Sequence, residues 1–344
     1  MTSIPLKEEW ATYKNANPHV RIRDAAHALG VSEAVLLATQ VGESVTRLRN
    51  DWYEMLPEFE QLGEVMALTR NEVFVHEKVG KYSHASVNAG HQMGQTLNEN
   101  IDLRIFFRNW HHGFAVSQRK DGALKYSLQF FDQFGDAVHK LHLRPDSNVD
   151  FFHSFAEKYR HADQTSNIDV EDERKATPLI PDDSVDVSAL RDAWDALRDT
   201  HDFIFMLRKF RVSREQAFRL AGSDYARKID PKCFQTALEH AAEASLKMMI
   251  FVNNPGCIQI HSGLIHRLKL TRDWYNILDP GFNLHVKYKD IASTWIVKKP
   301  VETGEVHSIE CFDAKGNVLS YLFSKRKEGK HESEVWREIL KPLA

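Results

Sequence analysis

The chain has 344 residues, 42% of them hydrophobic and 27% charged, with a formal net charge of −3 when histidine is neutral. That is long enough for one large domain or two medium ones with real cores, and the balance excludes the global basic field expected of a nucleic-acid binder. Three widely separated cysteines, Cys233, Cys257 and Cys311, exclude a disulfide framework or a CxxC metal knuckle and fit a reducing compartment.

The start, MTSIPLKEEW, turns polar at once and predicts no secretory signal. No run approaches the roughly 18 apolar residues of a membrane span. A cytoplasmic protein is therefore expected. EEWATYK (8–14) predicts an opening helix, and RDAAHALGVSEAVLLATQV continues with apolar residues three and four apart, a helical pattern. Alternating strand patterns follow, with the Asp121-Gly122 pair as a hairpin signal, and DFFHSFAEKYR closes as a helix.

The stretch 163–188 carries eight acids against two bases, two prolines and no aromatic residue, so it reads as an acidic linker without a face to bury. Beyond it the order recurs: RDAWDAL (191–197) as a helix, REQAFRLAGSDYARKI as a helical pattern, strands with a turn at 315–317, and ESEVWREIL as a closing helix. ALTRNEVFVHEKVG matches IFVNNPGCIQIHSG in strand pattern and turn-forming Asn. NIDLRIFFRNW matches GFNLHVKYKDI, and SLQFFDQFGDAVHKL matches SIECFDAKGNVLSYL. In the last two pairs Leu103 precedes Leu284, and Phe131 precedes Phe312, by the same 181 positions. A shared offset with one element order argues for internal duplication. The expectation is an α+β fold of two pseudo-symmetric repeats, 1–162 and 189–344, each with a large antiparallel sheet and flanking helices.

Eighteen histidines make an imidazole-bound metal or cofactor worth seeking. Leu190, Ala193, Trp194, Leu197 and His201 recur at helical spacing, so His201 extends an apolar stripe. By pattern it is either a core histidine bonded to a carbonyl or a ligand. Phe203, Phe205, Met206, Arg208, Lys209, Arg211 and Arg214 follow within thirteen residues. A flat apolar macrocycle with two carboxylates calls for that mixture: a neutral imidazole, aromatic walls and cations. Arg104 lies in an apolar strand run whose counterpart in the other copy is His285. It reads as an edge arginine snorkelling to water, or as a donor to water or dioxygen on iron, since arginine itself does not ligate metal. Lys299 and Arg326 end strands and read as solvated charges. His111-His112 and His139 with His142 look like ligand pairs, but adjacent strand residues point to opposite faces. The sequence carries no HExxH, CxxCH, GxGxxG or Walker loop.

RNEVFVHEKVG, ENIDLRIFFRNW, FFDQFGDAV, RDAWDALRDTHDF, SREQAF, IFVNNPGCIQIHSG and WIVKKPVETGEVHSIECF running into KRKEG together resemble the bacterial haemin-utilisation proteins of the HemS-like type. The resemblance spans nearly the whole chain. It implies two repeats and one haem b held at a cleft. His201 matches the proximal iron ligand, and Arg104 the distal arginine, the one residue it assigns a catalytic part. Phe106 matches a distal aromatic, and Arg214, Lys299 and Arg326 match cations around the propionates. The chain departs from the family at Ile204, Phe323 and Lys325, where an aromatic, a tyrosine and a glutamine are usual. Two functions follow from the resemblance: degradation of haem with an external electron donor, or carriage of haem to a separate haem oxygenase. A haem-independent scaffold is the remaining class, and a homodimer is left open.

Overall fold

The structure, a computed structural model, describes residues 5–120, 122–172, 179–326 and 330–343. The expected turn residue Asp121, linker residues 173–178 and positions 327–329 of the KRKEG run lie outside the described residues. The chain divides into two compact units. Unit 1 comprises Met1–Arg70, Glu77–Lys175 and Asn254–Gln259, and unit 2 comprises Asn71–His76, Ala176–Asn253 and Ile260–Ala344.

Unit 1 opens with helices α1 (Leu6–Ala16), α2 (Ile22–Ala28) and α3 (Glu33–Ala38), then strand β1 (Val45–Leu48) and α4 (Trp52–Glu58). Strands β2 (Val65–Arg70), β3 (Phe74–Gly80), β4 (Ala85–Asn88), β5 (Met93–Leu97), β6 (Asp102–Phe106), β7 (His112–Lys120), β8 (Ala123–Phe131) and β9 (Ala137–Leu143) precede α5 (Val149–Lys158). Unit 2 carries α6 (Val187–Asp195), α7 (Asp202–Phe210), α8 (Arg214–Ala221), β10 (Ala226–Ile229) and α9 (Cys233–Glu243). Its strands are β11 (Met248–Asn254), β12 (Cys257–Gly263), β13 (Leu268–Thr271), β14 (Trp274–Asp279), β15 (Phe282–Val286), β16 (Ser293–Val301), β17 (Gly304–Phe312) and β18 (Val318–Ser324), closed by α10 (Glu334–Leu340). The start of β3 belongs to unit 2 and the start of β12 to unit 1.

The duplication is explicit. Strands β7, β8 and β9 begin at 112, 123 and 137, and β16, β17 and β18 begin at 293, 304 and 318, each 181 residues later. Unit 1 orders its antiparallel sheet β1-β7-β8-β9-β2, with β4-β5-β6 as a meander. Unit 2 orders β10-β16-β17-β18-β11, with β13-β14-β15 as the matching meander. Helices and antiparallel sheets without βαβ alternation make the fold α+β.

The turn-forming asparagines are pinned alike. Asn71 donates to the carbonyls of Asn253 and Leu319 and accepts from the amides of Val73 and Phe74. Asn254 donates to the carbonyls of Arg70 and Val138 and accepts from the amides of Gly256 and Cys257. A short amide side chain can satisfy a turn in this way where the ladder lapses.

Local structure departs from the sequence patterns at several points. RDAAHALGVSEAVLLATQV is two helices, broken before Ser32, whose hydroxyl accepts from the Val35 amide. In REQAFRLAGSDYARKI the helix stops at Ala221, Gly222 takes φ +92°, and Ala226–Ile229 pairs with β16 as a strand. Helices α4 and α9, each followed by a strand, were not foreseen. The described parts of 163–188 are held rather than free. Gln164 exchanges hydrogen bonds with the Arg47 backbone, Ile168 packs on the unit 1 core, and Val185 is buried in unit 2. A few isolated apolar residues suffice to anchor an acidic stretch when its backbone finds partners. Among the described residues no helix is long and apolar enough to cross a membrane.

Candidate haem site

The apolar stripe through Leu190, Trp194 and Leu197 is buried, as its spacing predicts. The helix carrying it does not reach His201. α6 ends at Asp195, the chain turns, and His201 is the N-cap of α7, with its side chain 91% exposed. The reading of His201 as a continuation of the stripe is therefore corrected. Asp199 causes the break by offering the backbone a local partner: its Oδ1 accepts from the His201 amide at 2.7 Å.

The same Oδ1 lies 2.6 Å from His201 Nδ1. Hydrogen bonds from the His201 backbone hold the Asp199 carboxyl below its usual pKa against burial, assisted by the His201 ring and the charge of Arg326. An ionised carboxylate accepts only, so Nδ1 carries a proton and donates; in the neutral ring Nε2 is then the nitrogen with the lone pair. An exposed imidazole oriented in this way can take a metal atom through Nε2.

Of the two cations expected at strand ends, Arg326 lies just past β18 and Lys299 does not lie at an end. Lys299 is in the interior of β16 and 3% exposed, not solvated. Its Nζ donates to Glu310 Oε1 at 2.5 Å. Arg214, the first residue of α8, reaches Glu310 Oε2 at 3.1 Å, and Ser308 Oγ donates to Oε1 at 3.0 Å. Glu310 itself is fully buried on β17, directly opposite Tyr321 of β18. The Phe203 ring packs under both cations, 4.9 Å from the Arg214 guanidinium carbon and 4.8 Å from Lys299 Nζ, while Arg214 also covers Tyr321 at 5.0 Å. Two cations and one carboxylate leave a buried centre of net positive charge, suited to an anionic group.

Burial lowers Lys299 to about 8, with Glu310 raising it and Arg214 lowering it further. Burial opposes ionisation of Glu310, but the charges of Arg214 and Lys299 and the hydrogen bonds from Lys299 and Ser308 outweigh it and hold its pKa below normal. Arg326 follows β18, half-buried, with Nη1 3.5 Å from Thr303 Oγ1. Unit 2 thus brings Arg214 and Lys299 together through Glu310, and sets Arg326 within electrostatic reach of the carboxylate that holds His201.

In unit 1, β6 buries Leu103 and Ile105 and turns Asp102, Arg104 and Phe106 to the other face. Arg104 and Phe106 therefore share one half-exposed strand face, and Arg104 is not driven into the core. Its Nη1 donates to Asp102 Oδ1 at 2.5 Å and to the Leu103 carbonyl. The counterpart His285 occupies the matching half-buried face of β15, with Nδ1 2.7 Å from Asn276 Oδ1.

His139 is buried between Tyr82 Oη, 2.5 Å from Nε2, and Thr69 Oγ1, 2.8 Å from Nδ1. Burial, with a smaller push from His142, lowers it to about 3, so it stays neutral as part of the packing. Burial likewise takes His112 to about 4. Among the described residues no three His, Cys, Asp or Glu side chains are grouped to hold a metal ion. At the family departures, Ile204 is 41% exposed beside Phe205, and Phe323 packs against Phe251 with ring centroids 5.6 Å apart. Glu310 and Asp199 escaped the sequence reading. The run Ser308-Ile309-Glu310-Cys311-Phe312, one charge alternating with apolar residues, was the available signal for the first. The DTHD run around His201 was the signal for the second.

The family model for the haemin-degrading HemS.ChuX domain matches the chain twice, at residues 30–159 and 211–343. The hemin transport protein HmuS of Yersinia pestis is 34% identical over 339 residues, covering 98% of this chain and 97% of its own. Among solved structures, holo-PhuS, a heme-binding protein from Pseudomonas aeruginosa, superposes with a TM-score of 0.95 at 42% identity, covering 98% of each chain. ChuS, described as an E. coli heme oxygenase, superposes with a TM-score of 0.88 at 29% identity, covering 99% of each. With both of its repeats matched, the chain belongs to the HemS/ChuX family of haemin-degrading proteins.

Proposed function

We propose that this protein binds haem b through His201 for haem-iron utilisation and degrades it to release iron with electrons from an external donor. The observation that carries the reading is the His201 imidazole, exposed and held at Nδ1 by Asp199 in the same unit as the Arg214–Lys299 pair gathered on the buried Glu310. The donor set fits haem: one neutral imidazole nitrogen for iron, an aromatic ring at Phe203, and cations for carboxylates. Arg214, Lys299 and Arg326 are assigned to the propionates, and Arg104 with Phe106 to the distal side. The porphyrin iron supplies the oxidation chemistry when bound, while the chain's residues bind, orient and donate hydrogen bonds. A fixed guanidinium donor at Arg104 would stabilise negative charge developing near the iron.

Carriage is the second reading, favoured by the exposure of the His201 imidazole, which would suit release as well as retention. In it a separate haem oxygenase is the acceptor. Three free thiols, Cys257 and Cys311 among them buried, support a cytoplasmic setting. Single-turnover absorption spectra with a protein electron donor, in the presence of catalase, decide between the readings. Ring-opened product supports degradation, and unchanged haem supports carriage. Absence of any Soret change on titration with haemin overturns both.

A further inference from the structure

Glu310 is the one fully buried carboxylate of the charged centre in unit 2, and the duplication supplies its control. The position 181 residues earlier is Gln129, directly opposite Lys140 as Glu310 is opposite Tyr321. Gln129 Nε2 donates to Ser127 Oγ, the counterpart of Ser308. Arg214 corresponds to Glu33, which is ion-paired with Lys140, so the same positions in unit 1 close into a neutral set. In unit 2 they hold Arg214, Lys299 and Glu310, a set of net charge +1 with both cations over the Phe203 ring.

We propose that Glu310 is a positioning residue that gathers Arg214 and Lys299 into a preformed carboxylate-binding pair, and that haem retention is thereby coupled to the charge on Lys299. The inference rests on the assignment of these cations to the haem propionates. Two cations side by side away from water repel each other, and without a carboxylate between them neither orientation is held. Glu310 supplies that carboxylate without touching the ligand, and one positive charge remains for an incoming carboxylate.

The groups facing Lys299 are Glu310 and Ser308 from β17 and Arg214 from α8, with Phe203 of α7 below it and the Tyr321 phenol of β18 beyond Arg214. As pH rises through about 8, Lys299 loses its proton and the centre goes from +1 to neutral. Affinity for a dicarboxylate should fall over that interval. Glu310→Gln removes the charge that raises Lys299, so the fall moves to lower pH, by about one unit.

The test is fluorescence titration with iron-free protoporphyrin IX from pH 6 to 10, which keeps both propionates and removes any titration of iron-bound water. The expected results are roughly a tenfold loss of affinity across the alkaline interval in the natural protein, which is about 1.4 kcal/mol. A flat profile is expected in Lys299→Met and in the double variant Lys299→Met/Glu310→Gln. The fall should be displaced to lower pH in Glu310→Gln. A Glu310→Gln variant that retains native circular dichroism and the unshifted midpoint overturns the proposal. Should that variant not fold, Glu310→Asp, with its shorter reach, is expected to shift the midpoint in the same direction, and an unshifted midpoint there is equally fatal. If Lys299→Met and Arg214→Ala bind the porphyrin as the natural protein does at every pH, the propionate assignment itself fails. That outcome is told apart by the absence of any alkaline fall in the natural protein.

Discussion

Asp199→Asn is a sensitive probe of the iron-ligand assignment, because it changes one charge and almost no volume. In the natural protein Oδ1 accepts from both the His201 amide, at 2.7 Å, and the ring Nδ1, at 2.6 Å. The side chains are 91% and 61% exposed, so water screens the pair, and the ligand-free protein should lose at most about 1 kcal/mol of stability. Iron ligation is affected more, since a carboxylate on the far nitrogen both fixes the tautomer and makes the ligating nitrogen a stronger base. Removing such outer partners costs metal sites about 10–100-fold. Screening places Asp199→Asn at the low end, about tenfold or ~1.4 kcal/mol. Haemin titration gives the affinity, and resonance Raman of the ferrous complex gives the iron–imidazole stretch, expected to move to lower frequency. An unchanged affinity together with an unchanged stretch would refute an orienting role for Asp199.

His201→Ala should weaken haem binding and alter the ferric spin state far more than His285→Ala or His76→Ala, measured by Soret titration. His285 is engaged by Asn276 and His76 is fully buried. Arg104→Ala should keep affinity within about tenfold while changing the ferric spectrum and slowing oxygen-dependent turnover by on the order of 10²-fold. Arg214→Ala should show the reverse, with affinity lost and the ferric spectrum retained. For His139 the folded value of about 3 lies below the unfolded 6.5, so the unfolded chain binds more protons between those limits. Stability should therefore be lost as pH falls from about 6.5 toward 3, at up to ~1.4 kcal/mol per unit. Urea titrations at pH 6 and pH 4 should show a smaller drop in His139→Gln than in the natural protein.

The duplication was legible because it is written in features that survive divergence: the turn asparagines 71 and 254, the glycine turns at Gly135 and Gly316 before β9 and β18, and a common strand spacing. Much of the site was less legible. The stripe leading to His201 kept helical spacing past the real end of α6, because Leu197 is still buried in the turn. Periodicity records which residues are buried, not whether the backbone between them remains helical. The short polar run at 199–202, competing for its own amides, held that information instead. Lys299 was misread for a different reason. A lysine pair in a strand reads as solvated because its sequence neighbours show no partner: the register sets Val306 opposite Lys299, and the side chain reaches diagonally to Glu310, which lies opposite Trp295 on the next strand.

The two copies show how a duplicated module acquires a one-sided site without changing its fold. Ser127 and Ser308 are the same residue at the same place, and the row Gln129–Lys140 keeps the register of Glu310–Tyr321. What differs is charge. Unit 1 pairs Glu33 with Lys140, so its buried charges cancel and the set is complete without a ligand. In unit 2 the helix residue is the cation Arg214, the strand amide is the carboxylate Glu310, and Lys299 stands where unit 1 has Gln118. A buried set of net charge +1 carries a desolvation cost that only an incoming anion offsets fully. The asymmetry argues for a single carboxylate-bearing ligand on unit 2 rather than one on each repeat, and it locates the selectivity in a few substitutions on an otherwise shared sheet.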